Sequence, residues 1–425
     1  MVCIFLLVGI SPAQTRKPAT KELPPSAYKL LAVKVTGTKR YQPDDVIRAA
    51  RLQLGETVHE DDVKDAVRLL GDSGAFRDVT YSFEFDPDGT RLDLQVQDAE
   101  PFVPVRFENL VWFSDVELLE KLRAQVPLFR GQLPVTGEMA SDVSEALQAL
   151  LIEKHVAGEV DYLRVAQSDG PVDAFAFSVS GPHITIRNVN FSGADATLLP
   201  LLEAAARKLQ GIEYLRSSLR VQVEKSFLPI YREHGYLKAV FGDAAAKVTG
   251  DDAKEIPVDV IFPVDSGRQY KLSVIQLTGN RALTADALRP LIRLQVGQPA
   301  NALQLEKDLE TIKQLYATHG YMAATITAEP ETDDAQSTVT YVLHIVEGDV
   351  YKMGDLEIQG LDSRTTARLQ NEWTLRAGDT YDSSYSQRFV QQAYKEIGDW
   401  NVSVHESPNP EDKTVDVTVR FDPKS

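Results

Sequence analysis

The chain has 425 residues, room for about three ordinary domains or for more numerous small repeats. Its 43% hydrophobic and 25% charged residues are those of a folded chain with a core, not of a disordered tail. A formal net charge of −17, with no basic stripe beyond Arg16, Lys17 and Lys21, excludes a counterion-displacing grip on nucleic acid, and a single cysteine, Cys3, excludes a disulfide framework or a thiolate metal cluster.

In chain order the first element is MVCIFLLVGISPA, residues 1–13. Val2 to Ile10 form an apolar run too short to cross a bilayer, and Ser11 and Ala13 stand at the small-residue positions of a secretory cleavage site, so this segment reads as a signal peptide that lacks the usual basic start. Residues 14–27, rich in proline and polar side chains, read as a linker. No later segment reaches the roughly 18 apolar residues of a membrane helix, so a soluble mature chain is expected.

The remainder reads as five copies of one unit. In the first, residues 28–99, the strand LAVKV leads to Gly37, and Pro43 with Asp44 and Asp45 starts a helix whose region Gly55 ends. Val63, Val67 and Leu70 stripe a second helix, Gly74 and Phe76 mark its junction with a strand, and the turn at 86–89 precedes the alternating Leu92, Leu94 and Val96. The second copy, residues 100–181, is degenerate: it keeps Gly131 and the alternating Phe175, Phe177 and Val179, but its strand-ending glycine is replaced near Asn109 or Leu110. The third (182–266), fourth (267–348) and fifth (349–425) copies restore the pattern, with Gly193 and Gly211, Gly279 and Gly297, and Gly360 and Gly378 at the same spacing as Gly37 and Gly55. Their junctions hold Gly235 with Tyr236, Gly320 with Tyr321, and Gly398 with Trp400, and their final strands alternate as in Val339, Tyr341, Leu343, Ile345 and Val415, Val417, Val419. Each unit therefore reads as strand, helix, helix, strand, strand: an α+β fold in which a three-stranded mixed sheet is covered on one face by two helices, five times over.

Two junctions share His-Gly-Tyr, in IYREHGYLKAVF (230–241) and LYATHGYMAATIT (315–327). The glycines read as helix C-caps, the tyrosines as the start of the next strand with the ring on the core, and His234 and His319 as last-turn residues that complement the helix dipole. The seven histidines form no H-E-x-x-H or H-x-x-x-H pair, and no nucleophile elbow, Walker loop or dinucleotide fingerprint is present. Asp61-Asp62 and Asp333-Asp334 lie at expected helix starts and turns, and Trp112, Phe113, Trp373 and Trp400 at expected core or interdomain positions. No enzyme, cofactor, metal site or small-molecule substrate is expected.

Units of this length, with the openings ITIRNVNFSG, YKLSVIQLTGN and VYKMGDLEIQG and the joints IYREHGY and LYATHGY, resemble polypeptide-transport-associated (POTRA) domains, and five in tandem behind a signal peptide are similar to the periplasmic arm of BamA-type factors of the Omp85 superfamily. The resemblance implies a scaffold in outer-membrane protein assembly or secretion, on the periplasmic face of a Gram-negative-type envelope. Its implied partners are unfolded outer-membrane proteins or envelope assembly partners. This sequence ends at Ser425, and a sixteen-stranded barrel would need well over two hundred more residues, so the resemblance leaves open both a barrel beyond it and a β-barrel supplied elsewhere. A three-stranded sheet leaves an open edge that can pair with an incoming chain. The resemblance places that edge on the strand after each joint: Val79, Tyr81 and Phe83; Leu237, Ala239 and Phe241; Ala323, Thr325 and Thr327; Val402 and Val404. Pro330 and Asp86-Pro87 are expected to limit how far these edges extend. The alternative is a rigid spacer or docking platform for one folded partner.

Overall fold

The computed structural model describes residues 25–86, 88–166, 169–250, 255–397 and 400–423. The expected signal peptide, most of the linker, Cys3 and the joint glycine Gly398 lie outside the described residues. The first sheet comprises β1 (Leu30–Thr36), β2 (Phe76–Asp86) and β3 (Gly89–Asp98), with α1 (Pro43–Ala49) and α2 (Glu60–Asp72) inserted after β1. The second has β4 (Phe102–Phe107), β5 (Gln132–Pro134), β6 (Glu159–Ala166) and β7 (Val172–Ser180), with α3 (Asp115–Gln125) and α4 (Met139–Glu153). In the third, β8 (His183–Ser192) precedes α5 (Leu199–Ala206), α6 (Arg216–Gln222) and α7 (Leu228–Glu233), followed by β9 (Val240–Phe241), β10 (Ala245–Val248) and β11 (Glu255–Asp265). The fourth runs β12 (Lys271–Thr278), α8 (Ala285–Leu288), α9 (Ala302–Thr318), β13 (Thr325–Asp333), β14 (Thr338–Val346), and the fifth β15 (Lys352–Gln359), α10 (Ser363–Glu372), α11 (Tyr385–Ile397), β16 (Trp400–Asn409), β17 (Thr414–Pro423).

Three sheets share one order, β1-β3-β2, β12-β14-β13 and β15-β17-β16. In each the first strand is parallel to the central one and the strand after the joint antiparallel to it, which is the mixed sheet expected. The other two are four-stranded: β5 joins β5-β4-β7-β6, and the third sheet runs β10-β11-β8 with β9 also on β11. The chain packs as two compact units, one reaching Thr185 and taking in Glu213–Arg216 and Ala246–Val258, the other holding Ile186–Ile212, Ser217–Ala245 and the residues from Asp259 onward.

The alternation read in the last strands puts one row of side chains under the helices. Leu92, Leu94, Val96, Phe175, Phe177, Val179, Val339, Leu343, Val415, Val417 and Val419 are buried, as are Val63 and Leu70 of α2 and Leu305, Ile312 and Tyr316 of α9. Phe113 and Trp373 are buried, and Trp112 and Trp400 pack at the core margin.

The repeated glycine spacing has two physical causes. Gly37, Gly193, Gly279 and Gly360 all have positive φ, and a Cβ there would sit 2.0 Å from the carbonyl oxygen of Val96, 2.5 Å from that of Val264, 2.1 Å from that of Ile345 and 1.9 Å from that of Phe421. At the matching place in the second sheet, buried Asn109 donates Nδ2–H to the Val179 carbonyl at 2.9 Å and accepts its N–H at 2.8 Å, so an amide side chain does what a bare backbone does elsewhere. Gly55 does not end its helix as expected, since α1 already ends at Ala49. Gly55, Gly211, Gly297 and Gly378 instead donate their N–H, each at 2.8 Å, to Leu30, Ile186, Leu272 and Met353 of the first strands. That contact lays a loop along the opening residues of the first strand and blunts its edge there, the isolated bridges Lys29–Thr57, Lys271–Pro299 and Lys352–Thr380 continuing it.

Candidate polypeptide-binding edges and the joints that hold them

With the start of the first strand covered by its own loop, the strand after the joint forms the other margin: β2, β13 and β16 each end their sheet order. In an antiparallel edge strand, alternate residues turn N–H and C=O outward, and proline marks which ones, because it has no N–H to give the ladder. Pro330 pairs with Tyr341, so its parity, that of Ile326 and Ala328, faces away from β14. Pro408 opposite Val415 and Trp400 opposite Pro423 set the same parity in β16, which puts the outward groups on Val402 and Val404. In β2 the tight hairpin pairing of Asp86 with Gly89 puts them on Val79, Tyr81 and Phe83. These five residues, all singled out from the sequence, turn their side chains toward the helix-covered core while their backbone is directed outward.

The other expected positions differ. Thr325 and Thr327 give their backbone to β14 and expose their side chains, so in the fourth sheet the outward groups belong to Ile326 and Ala328. Ala323 and Leu237 precede the ladders altogether. Met322 N–H is bonded to the Gly320 carbonyl at 2.9 Å and Ala324 N–H to the Tyr321 carbonyl at 3.2 Å, so a turn follows the helix cap before extended structure begins. Ala239 is likewise in a turn, on the Tyr236 carbonyl at 3.5 Å. Phe241 closes the two-residue β9, but its ring packs within a cluster, 5.6 Å from Tyr231 and 5.9 Å from Phe227. The chain leaves the ladder after Gly242, bonded to the Pro263 carbonyl at 2.8 Å, because a proline in the central strand offers its neighbour no donor. The third sheet thus has a broken edge. Pro330 does not cut β13 short, as was expected of it: the strand runs through it to Asp333, since the missing N–H costs nothing on the outward side.

The His-Gly-Tyr segments are helix ends, as expected, and also the sockets for the following repeat. Tyr236 N–H bonds the Tyr231 carbonyl at 2.9 Å and Gly235 N–H the Arg232 carbonyl at 3.4 Å; the matching bonds at Tyr321 and Gly320 are 3.0 and 3.2 Å, a Schellman cap in both. His234 and His319 fold Nδ1 back onto the carbonyls of Ile230 and Leu315, at 2.8 and 2.9 Å. Then each glycine carbonyl receives a backbone donor from the next repeat: Tyr270 N–H on Gly235 at 2.8 Å and Tyr351 N–H on Gly320 at 2.7 Å. The relay continues, with Ala300 N–H on the Tyr270 carbonyl at 2.9 Å and Tyr381 N–H on the Tyr351 carbonyl at 3.0 Å. A Cβ on Gly235 would lie 2.6 Å from the Tyr270 carbonyl oxygen, so the glycine is needed for the close approach as well as for its φ of +80°. Sequence reasoning found the cap but missed the socket, whose signal was the tyrosine opening each following repeat.

Polar side chains fasten the same joints. Asp334, in the β13–β14 turn, accepts from Lys238 Nζ at 2.7 Å and from Tyr270 Oη at 2.6 Å, while Arg268 donates to its carbonyl at 2.6 Å. The Lys238 and Tyr270 hydrogen bonds hold the Asp334 carboxyl below the usual range. Within the fifth repeat Lys413, in the β16–β17 turn, pairs with Asp349, two residues before Tyr351, at 3.1 Å. Among the described residues, no group of three or more His, Cys, Asp or Glu side chains is placed to hold a metal ion, and no helix is long and apolar enough to cross a membrane.

A repeated mixed sheet with two helices on one face, an open antiparallel edge and a glycine socket for its successor defines a class of tandem α+β modules. Residues 28–98 and 270–348 match the POTRA family, described as a surface antigen variable number repeat, and the chain resembles the periplasmic arm of BamA-type factors. It is 21% identical over 409 residues to the outer membrane protein assembly factor BamA of Nitratidesulfovibrio vulgaris, covering 93% of this chain and 50% of that protein. To the BamA of Neisseria meningitidis serogroup B it is 22% identical over 182 residues, covering 39% of this chain and 23% of that one. The chain thus spans half the length of these curated relatives or less. Among solved structures, POTRA domains 3–5 of Haemophilus influenzae BamA align at 20% identity and a TM-score of 0.42, covering 56% of this chain and 96% of that one.

Proposed function

We propose that this array is a periplasmic scaffold in outer-membrane β-barrel protein assembly or secretion, which takes up extended client segments or partner loops by strand addition. The observation that carries the reading is that β2, β13 and β16 end their sheets with outward N–H and C=O groups, while loops of the same repeats cover the opening residues of the opposite margins. An incoming strand gains main-chain hydrogen bonds there without breaking any native one. Its partners would be unfolded outer-membrane proteins or envelope assembly factors, with a β-barrel supplied by another chain or another segment, and no chemical step is involved. Photo-crosslinkers at Thr80, Thr327 and Ser403, on these three strands, should trap envelope polypeptides in cells. A scan that traps none, with the protein exported and folded, refutes the reading.

A second reading, a rigid docking platform for one folded partner, is favoured by the joints: backbone relays through Gly235 and Gly320 restrict bending between successive repeats. Affinity capture separates the two. Many unfolded outer-membrane proteins indicate a receptor, and one stoichiometric partner a platform.

A further inference from the structure

The β13 and β16 edges differ in what they present to a strand laid beside them. On β13 the exposed face carries Thr325, Thr327, Glu329, Glu331 and Asp333 in succession. Asp333 is engaged by its own turn, accepting from the Ala335 and Gln336 N–H groups at 2.9 and 3.0 Å. Glu329 is shared with His344 of β14 at 3.2 Å, and Glu331 is exposed one strand step further along. The matching row on β16 is Asn401, Ser403, His405, Ser407 and Asn409, without a carboxylate. On the other face of β13, Ile326 and Ala328 pack at the margin of a core formed by Leu305, Tyr316 and Tyr341 among others, with the half-buried Leu309 of α9 alongside.

We propose that the β13 edge selects its strand by charge: it takes an extended segment with small apolar residues on the face toward α9 and lysine or arginine at the alternate positions, opposite Glu329 and Glu331. This rests on the strand-addition reading above and adds the class of polypeptide taken. Opposite charges facing each other across a ladder are worth about 0.2–1 kcal/mol each and like charges cost as much. Two such positions, turned from attraction to repulsion, amount to about a tenfold difference in affinity. The exposed face cannot exchange with the apolar one, because flipping the incoming strand would bury its charges against α9.

The test uses the whole chain and two fluorescent nine-residue peptides that alternate valine with either lysine or glutamate, read by anisotropy at 0.15 M salt. The lysine peptide should bind about tenfold more tightly, and the preference should fall to about threefold or less in the Glu329→Gln, Glu331→Gln double variant. Ala328→Pro, which removes an outward N–H and no ladder bond, should abolish the preferential binding while leaving the circular dichroism spectrum and melting profile intact. A preference unchanged in the double glutamine variant, reflecting only the net charge of −17, overturns the charge selection and leaves strand addition standing. Binding indifferent to Ala328→Pro, or no binding of either peptide, overturns strand addition at β13 itself.

Discussion

Replacing Gly235 by alanine tests the socket most directly. The residue has φ +80°, and the new Cβ would lie 2.6 Å from the Tyr270 carbonyl oxygen and 2.9 Å from the Ala300 nitrogen, both backbone atoms of the next repeat. Gly297 is its control: φ is +81° and a Cβ there meets nothing within 4 Å. Both variants bear the left-handed penalty of about 1 kcal/mol, so the difference between them isolates the overpacking, about 1–3 kcal/mol. Because the clash is with the partners of one hydrogen bond, Ala300 N–H to the Tyr270 carbonyl at 2.9 Å, next to the Tyr270 N–H bond to the Gly235 carbonyl at 2.8 Å, the loss should be local. Native-state hydrogen exchange on the full chain reads it: the Tyr270 amide should exchange about tenfold faster or more in Gly235→Ala and at the parent rate in Gly297→Ala. Equal protection of Tyr270 in the two variants would show that Gly235 serves only its own helix cap, and the socket would have to be abandoned.

Three further outcomes follow from the geometry. Asn109→Leu strands the buried N–H and C=O of Val179, and urea unfolding of the first compact unit should register a loss of about 2–4 kcal/mol. Proline at two adjacent residues of β13 should act oppositely: Thr327→Pro breaks a ladder bond to β14 and costs about 3 kcal/mol in a thermal melt, whereas Ala328→Pro leaves the ladder whole. The Asp334 carboxyl is held below its ordinary range in the folded chain, so its contribution to the joint is complete above that range and is lost as pH falls through the depressed value. Tyr270 amide protection factors, corrected for intrinsic exchange, should therefore drop below about pH 4, and Asp334→Asn should flatten the profile.

The period of the fold was legible because it is written in residues whose reasons are local or nearly so. A glycine that must take positive φ, an alternating strand and a striped helix each announce themselves within a dozen residues, and Gly37, Gly193, Gly279 and Gly360 repeat because the same carbonyl crowds each one. Where the stand-in was a side chain, as at Asn109, the pattern blurred although the contact persisted. The role of Gly55 was not legible because its partner is a strand residue more than twenty positions earlier, and the strand limits after the fourth repeat's joint were misplaced because two turns follow the helix cap before pairing begins.

Sequence by itself determined that this chain is a run of α+β repeats, where the helices before the His-Gly-Tyr segments end and which strands alternate, since backbone sterics and the burial of apolar rows act over short distances. It also singled out Val79, Tyr81, Phe83, Val402 and Val404. Only the tertiary structure decided which residues of each edge point their hydrogen-bonding groups outward, that the third edge is broken, and that the His-Gly-Tyr ends are sockets. Register and close approach depend on which strand lies opposite and on which repeat docks next, and a one-residue shift in either reverses the assignment without altering the pattern of hydrophobic residues that announces the fold.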